Sequence, residues 1–329
     1  LKDDHELTES HVVSEEESGL RLDVWLHRFC DFLPSRTFAA NWVSAGHVTV
    51  SRSVPKASLK LRGGDQIGIR VPVQNSCPDE PQPETIPLRI IFEDEHILVI
   101  NKQPGLVVHP GAGIRSGTLV NGVLAHCGFT LPSLGERERA GIVHRLDRDT
   151  SGVMVVAKSQ IALSALGNQF ASHAHLRTYS ALCFGAPFPE QQRIETGYGR
   201  HPQFRTRYAV RHLGEGRHAA TNIRVVESLC EGAMSLLECS LETGRTHQIR
   251  VHTAHLGNPL VGDPVYSRIP ESLVRTSPQL AAIVRRGANR QMLHALQLGF
   301  SHPVSGESVV FDAPLEPDFA NLLATLRSS

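Results

Sequence analysis

Between positions 141 and 152 the chain reads Gly141-Ile142-Val143-His144-Arg145-Leu146-Asp147-Arg148-Asp149-Thr150-Ser151-Gly152. Asp147 is a carboxylate set between two arginines, just ahead of a Thr-Ser-Gly turn and the apolar run Val153-Met154-Val155-Val156-Ala157. Flanking guanidiniums would hold that carboxylate ionised in a cleft whose low polarity favours the neutral acid. An ionised, partly desolvated carboxylate can act as nucleophile or base at an electrophilic carbon. The same residues also fit a structural Arg–Asp pair capping a strand. A glycosidase would instead use Asp147 with Asp149, provided their carboxyls stand roughly 5–9.5 Å apart.

Two further segments carry chemistry. Residues 241–252 read Leu-Glu-Thr-Gly-Arg-Thr-His-Gln-Ile-Arg-Val-His, an arginine-bearing helix start with Thr246 as a possible cap. His247, His252 and His255 suggest a metal, but their spacing does not converge on one helix face and H-E-x-x-H is absent. No metal site is expected. Arg177-Thr178-Tyr179-Ser180-Ala181-Leu182 puts one of four tyrosines on a strand, either as core or as a ring that stacks on a base. The loop 102–113, rich in Gly and Pro and containing His109, lacks the G-x-x-x-x-G-K-[ST] phosphate cradle and reads as a loop framing a site.

The elements that position these residues follow from patterning. Apolar alternation predicts strands at 88–92 and 97–101, and 153–157 reads as a buried strand. Ahead of them, apolar positions 22, 25, 26 and 29 predict one helix. Ser35 is a plausible N-cap for a second helix carrying Phe38, Trp42 and Val43, and short strands follow around turns.

The 33 basic and 33 acidic residues cancel, but their positions do not overlap. Residues 1–20 hold seven acids and one base. Residues 21–75 hold eight bases and three acids, and 76–87 hold four prolines, three acids and no base. This predicts a disordered acidic tail (1–18), a small basic domain (19–75), a Pro-rich acidic linker (76–87) and a larger domain (88–325). Of the basic residues 28 are Arg, whose planar fork suits phosphate and base edges. Seven lie between 193 and 224 with only Glu195 and Glu215 as acids, which reads as a basic hairpin facing a polyanion. No apolar run approaches the ~20 residues of a membrane span, and six cysteines without C-x-x-C read as reduced, mostly buried thiols of a cytoplasmic protein.

The first segment resembles the S4 RNA-binding domain through Arg21-Leu22-Asp23, Ser35-Arg36-Thr37, Gly46-His47-Val48-Thr49-Val50 and the Gly64-Asp65 turn. Ser51-Arg52 stands where that family usually has Asn-Gly. The second domain resembles the RluA-type pseudouridine synthases, RluD-like branch. It does so through His144-Arg145-Leu146-Asp147 with Thr150-Ser151-Gly152, the Pro104 to His109-Pro110 loop, the Tyr179 segment, Gly244 through His252, residues 260–266, and Leu293-His294-Ala295 with His302-Pro303.

The resemblance implies an α+β chain, an S4 domain followed by a larger domain with a mainly antiparallel mixed sheet. It implies isomerisation of specific uridines of large-subunit (23S-type) ribosomal RNA to pseudouridine, with no cofactor. A family member acting on tRNA, or a non-catalytic RNA-binding or ribosome-assembly factor, is the alternative. Asp147, Tyr179 and Arg250 would be catalytic, with Arg250 pairing Asp147. Arg145, Leu293, His144 and His109 would bind substrate, Leu293 beneath a flipped uracil. Arg177 stands where the family usually has Lys. Arg36, Arg52, Lys56 and Lys60 would contact RNA, and the expected partners are ribosomal RNA and pre-ribosomal particles, met by a monomer.

Overall fold

The computed structural model describes residues 7–30, 36–44, 46–51, 53–71, 81–111, 113–127, 131–133, 140–172, 174–204 and 206–329. The chain divides into two units, Leu1–Glu80 and Pro81–Ser329. In the first, β1 (Leu7–Val12), α1 (Leu22–Phe29), α2 (Arg36–Ser44), β2 (Val48–Val50) and β3 (Gln66–Val71) follow in order, and the strands form an antiparallel sheet β1-β3-β2. Leu22, Trp25 and Leu26 recur at helical spacing and bury one face of α1 against Ala39, Val43, Val48, Ile67 and Ile69. Buried Asp23 accepts from Arg21 and Arg36, tying the start of α1 to α2. Ser51 adopts φ 49°, the left-handed conformation that Asn or Gly would supply at a tight turn.

From residue 7 to residue 18 the acidic start is not the disordered tail expected. Residues 7–12 pair with β3 along their whole length, Val13 is buried, and the Ser14 N–H donates to Glu17 across a capping box. Composition misled because backbone pairing needs no apolar side chains, and Glu15 and Glu16 stay in water. Residues 1–6 and Ser35 lie outside the described residues, as does Arg52. The second unit begins at 81 rather than 88. Pro81 is buried, Asn121 donates to the Gln82 carbonyl at 2.6 Å and accepts from the Glu84 N–H, and the Glu84 carboxylate accepts from the Gly117 N–H. An irregular Pro-rich segment has free backbone groups, and here the Asn121 side-chain amide and backbone carbonyl meet two of them. At the other end the unit runs past 325, through the last helix.

The second unit contains β4 (Ile90–Glu93), β5 (Ile97–Lys102), α3 (Leu119–Cys127), β6 (Ser151–Ala157), α4 (Gln160–Ala171), β7 (Leu176–Phe184) and β8 (Gln191–Arg200). Then come β9 (Tyr208–Arg211), β10 (Arg217–Leu229), β11 (Met234–Leu241), α5 (Gln248–His255), α6 (Glu271–Thr276), α7 (Pro278–Gly287), β12 (Leu293–Ser301), β13 (Ser308–Asp312) and α8 (Pro317–Arg327). The strands make one ten-stranded sheet, β4-β5-β6-β12-β7-β11-β10-β8-β9, with β13 on β12. Among the described strands only β6 and β12 pair in parallel. This is the mainly antiparallel α+β architecture expected.

Strand alternation separates two cores. Ala181 and Cys183 of β7 join one with α3 and α4, whereas Leu182 and Phe184 join the other with α6, α7 and α8. Arg177 and Tyr179 carry odd numbers and share the first face. No helix among the described residues is long and apolar enough to cross a membrane. Cys127, Cys183, Cys230 and Cys239 are free thiols.

Candidate active site

The parallel pair creates the site. Ser151 lies opposite His294 and Gly152 opposite Ala295, so β6 and β12 begin at the same end of the sheet. Only glycine fits at 152: its φ is +115° and a Cβ would stand 2.1 Å from the Ala295 carbonyl oxygen. The loop carrying Asp147 therefore arrives beside Leu293, and β7 continues the wall with Tyr179 opposite Ala295. A cavity of about 510 Å³ opens there, lined by His109, His144, Arg145, Asp147, Arg177, Tyr179 and Leu293, among others.

Asp147 is held from α5. Arg250 Nη1 donates to Asp147 Oδ2 at 3.0 Å, while Nε and Nη2 make a two-pronged contact with Asp263 at 2.6 and 2.9 Å. The arginines next to Asp147 in sequence do not make this contact. Arg145 is exposed at the cavity, and Arg148 turns to Asp149 and to the Gly105 carbonyl. Neighbouring side chains diverge along a turn, so adjacency pointed to the wrong arginines, and the observed partner is the Arg250 that the resemblance implied. Burial opposes the Asp263 charge, but bonds from Arg250 and from the Val265 and Tyr266 N–H groups outweigh it and hold its carboxyl below the usual range. The Arg250 guanidinium also lies over the Tyr266 ring at 5.2 Å.

His247, not Thr246, is the N-cap residue of α5, with φ 61°. Gln248 secures this turn by accepting from the Arg245 N–H and donating to the Ala220 carbonyl. The His247 Nε2 stands 3.9 Å from Asp147, its Nδ1 contacts the Tyr266 hydroxyl, and burial lowers its pKa. The Asp147 loop is pinned from below. Lys102, fully buried, donates to the carbonyls of Gln103, Leu106 and Arg148, and Arg290 donates to that of Asp149. Burial drives Lys102 down to about 7, yet only its ammonium form supplies all three donors.

The cavity therefore gathers Asp147, Tyr179, Arg145, Leu293, His144 and His109 at its walls, with Arg250 directly behind Asp147. Lys56 and Lys60 are exposed on the first unit, where Arg36 is exposed but also bound to Asp23. The arginine cluster of 193–224 is partly neutralised: Arg193 pairs with Glu195 and Glu242, and Arg224 with Glu238. Glu195 is a near neighbour on β8, but Glu238 and Glu242 come from β11 and its end, out of reach of a linear reading.

Residues 96–255 match the family described as RNA pseudouridylate synthase. Over 324 residues the chain is 41% identical to a ribosomal large subunit pseudouridine synthase D of Zymomonas mobilis, covering 98% of each chain. The chain belongs to the RNA pseudouridine synthase family. The synthase is also 44% identical over 319 residues to a Neisseria meningitidis protein of the same name, covering 96% of this chain and 81% of that one. An uncharacterised RNA pseudouridine synthase of Bacillus subtilis is 40% identical over 318 residues, 97% and 98% of the two chains. In fold the synthase resembles the human RNA pseudouridylate synthase domain containing 4. The TM-score is 0.54 at 23% identity, with 73% of the synthase and 93% of that chain covered. Sequence reasoning gave no role to Asp263, Tyr266, Lys102 or Arg290. The Gly262-Asp263 motif was the available signal for the first two; nothing in the sequence marked the others.

Proposed function

We propose that this synthase isomerises specific uridines of large-subunit ribosomal RNA to pseudouridine, with Asp147 as the essential carboxylate. Its strongest support is the 3.0 Å contact of Arg250 with Asp147 at the wall of a cavity that also contains Tyr179 and Leu293. The name printed for its relatives supports the choice of RNA. In the reaction the N1–C1′ bond breaks, uracil turns, and C5 bonds to C1′. A uridine within a helix must be flipped out first, at an unstacking cost of a few kcal/mol. Tyr179 and Leu293 would hold the flipped ring between them, and exposed Arg145 would occupy the vacated position.

The first unit is proposed to be an S4-type RNA-binding domain. Its α1-α2 pair followed by β2 and β3, with Lys56, Lys60 and Arg36 exposed, supports this. Unmodified large-subunit ribosomal RNA incubated with the synthase should gain pseudouridine, and Asp147→Asn should give none while remaining folded. Wild type no better than Asp147→Asn would sink the reading in favour of a non-catalytic RNA-binding factor. Modification of transfer RNA alone would move the substrate, not the chemistry.

A further inference from the structure

Arg177 differs from the other cations of the cavity. Arg250 is paired twice and Arg145 is exposed to water, but Arg177 is only 9% exposed. Among the described residues it makes no hydrogen bond or ion pair, and its Nε is sealed from solvent without an acceptor. The guanidinium lies 5.9 Å from the centre of the Phe170 ring, and the backbone of Gly244 closes on it so tightly that a Cβ there would stand 2.6 Å from Nη1. Beside it, His144 stacks on the same Phe170 at 4.5 Å and accepts the Val155 N–H at Nε2. The proton of the neutral ring is then on Nδ1, which is likewise sealed and unpartnered. A largely buried guanidinium without a counter-charge is costly to fold around, so its missing partner is one that a ligand brings into the cavity.

Position on the sheet says which part of the ligand. Ala181, Tyr179 and Arg177 follow one another on one face of β7, with Ala181 opposite Leu293 and Arg177 opposite Leu298. Arg177 therefore stands roughly 6.6 Å along the strand from Tyr179, on the side away from Leu293. The phosphates of a flipped nucleotide stay with its strand, where Arg145 is exposed. What enters far enough to reach a nearly sealed guanidinium is the base.

We propose that Arg177 binds the carbonyl edge of the detached uracil and stabilises the negative charge it carries between bond breaking and bond making. This rests on the isomerase reading above. When N1–C1′ breaks, its electron pair leaves with uracil and spreads from N1 onto O2 and O4. C5 then returns a pair to C1′, loses its proton to solvent, and N1 takes one up, so the composition is unchanged. A fixed donor aimed at charge that exists only after cleavage accelerates the step rather than tightening binding. The position requires a cation at the carbonyl edge, which Lys also supplies.

Ribosomal RNA transcripts carrying tritium at uridine C5 release it on isomerisation, which gives a single-turnover rate at saturating enzyme. Arg177→Met should slow that rate about 100-fold, with RNA affinity within twofold of wild type and an unchanged unfolding midpoint. Arg177→Lys should stay within tenfold of wild type, and added methylguanidinium should speed Arg177→Ala at least tenfold. Arg177→Met reacting at the wild-type rate would overturn the proposal. So would a defect lying wholly in RNA affinity, or a folded Arg177→Lys as slow as Arg177→Met. If Arg177→Met fails to fold, Arg177→Lys and the methylguanidinium response decide alone. Wild type that releases no tritium is a separate failure, that of the isomerase reading itself.

Discussion

Arg250 is shared by two carboxylates of unequal surroundings. Asp263 is fully buried and takes two guanidinium bonds and two backbone N–H bonds, whereas Asp147 takes one guanidinium bond and keeps an edge at the cavity. Asp263 thus fixes the angle at which Arg250 meets Asp147. Asp263→Asn removes one charge of a buried pair and frees that angle. Loss of a buried partner costs about 3–5 kcal/mol, and misplacement of the reacting carboxylate by about 1 Å costs on the order of 100-fold in rate. Urea unfolding and single-turnover assays should show both losses, with RNA affinity unchanged. A rate equal to wild type would mean that Arg250 is held by other contacts.

At the scale of elements, α5 is fastened to the sheet through His252. This ring is fully buried, with Nδ1 at 2.8 Å from the Thr221 hydroxyl on β10 and Nε2 at 3.2 Å from that of Thr196 on β8. Burial pushes its pKa down to about 4 from 6.5. Above pH 6.5 the imidazole is neutral in both states and titration contributes nothing. Between 6.5 and 4 the unfolded chain binds a proton that the folded chain refuses, so stability falls on acidification by about 1.4 kcal/mol per pH unit. From pH 6.5 to 5 wild type should lose about 2 kcal/mol more than His252→Gln, read as the difference in urea midpoints converted by the measured slope. Parallel losses in the two proteins would assign the acid sensitivity to other groups.

The whole molecule joins two units, each with its own apolar core. Residues 81–329 should therefore unfold cooperatively when made alone, at the midpoint of the full chain's larger transition. They should bind ribosomal RNA more weakly and with a shallower salt dependence, since Arg36, Lys56 and Lys60 are lost. A fragment that fails to fold would show that the first unit completes the second. The net charge of zero conceals this division, because the acids of 1–20 and 76–87 offset the bases of the remainder.

Sequence alone determined the local features. Apolar alternation marked β5, an unbroken apolar run marked β6 and helical spacing marked α1, because each depends on residues close in sequence. The ordered motifs around Asp147, Tyr179 and Arg250 pointed to the family and to Asp147. Composition failed at 7–18, where backbone pairing with a strand more than 50 positions away ordered an acidic segment. Tertiary structure supplied the contact itself: Arg250, which the resemblance paired with Asp147, arrives from 103 residues away while the adjacent arginines turn aside. It also decided that Arg177 is largely buried without a partner among the described residues and that Lys102 and Arg290 grip the Asp147 loop by its carbonyls. Contacts of this kind depend on sheet register and on which face a strand presents, and a linear sequence carries neither until the parallel pairing of β6 with β12 brings the segments together.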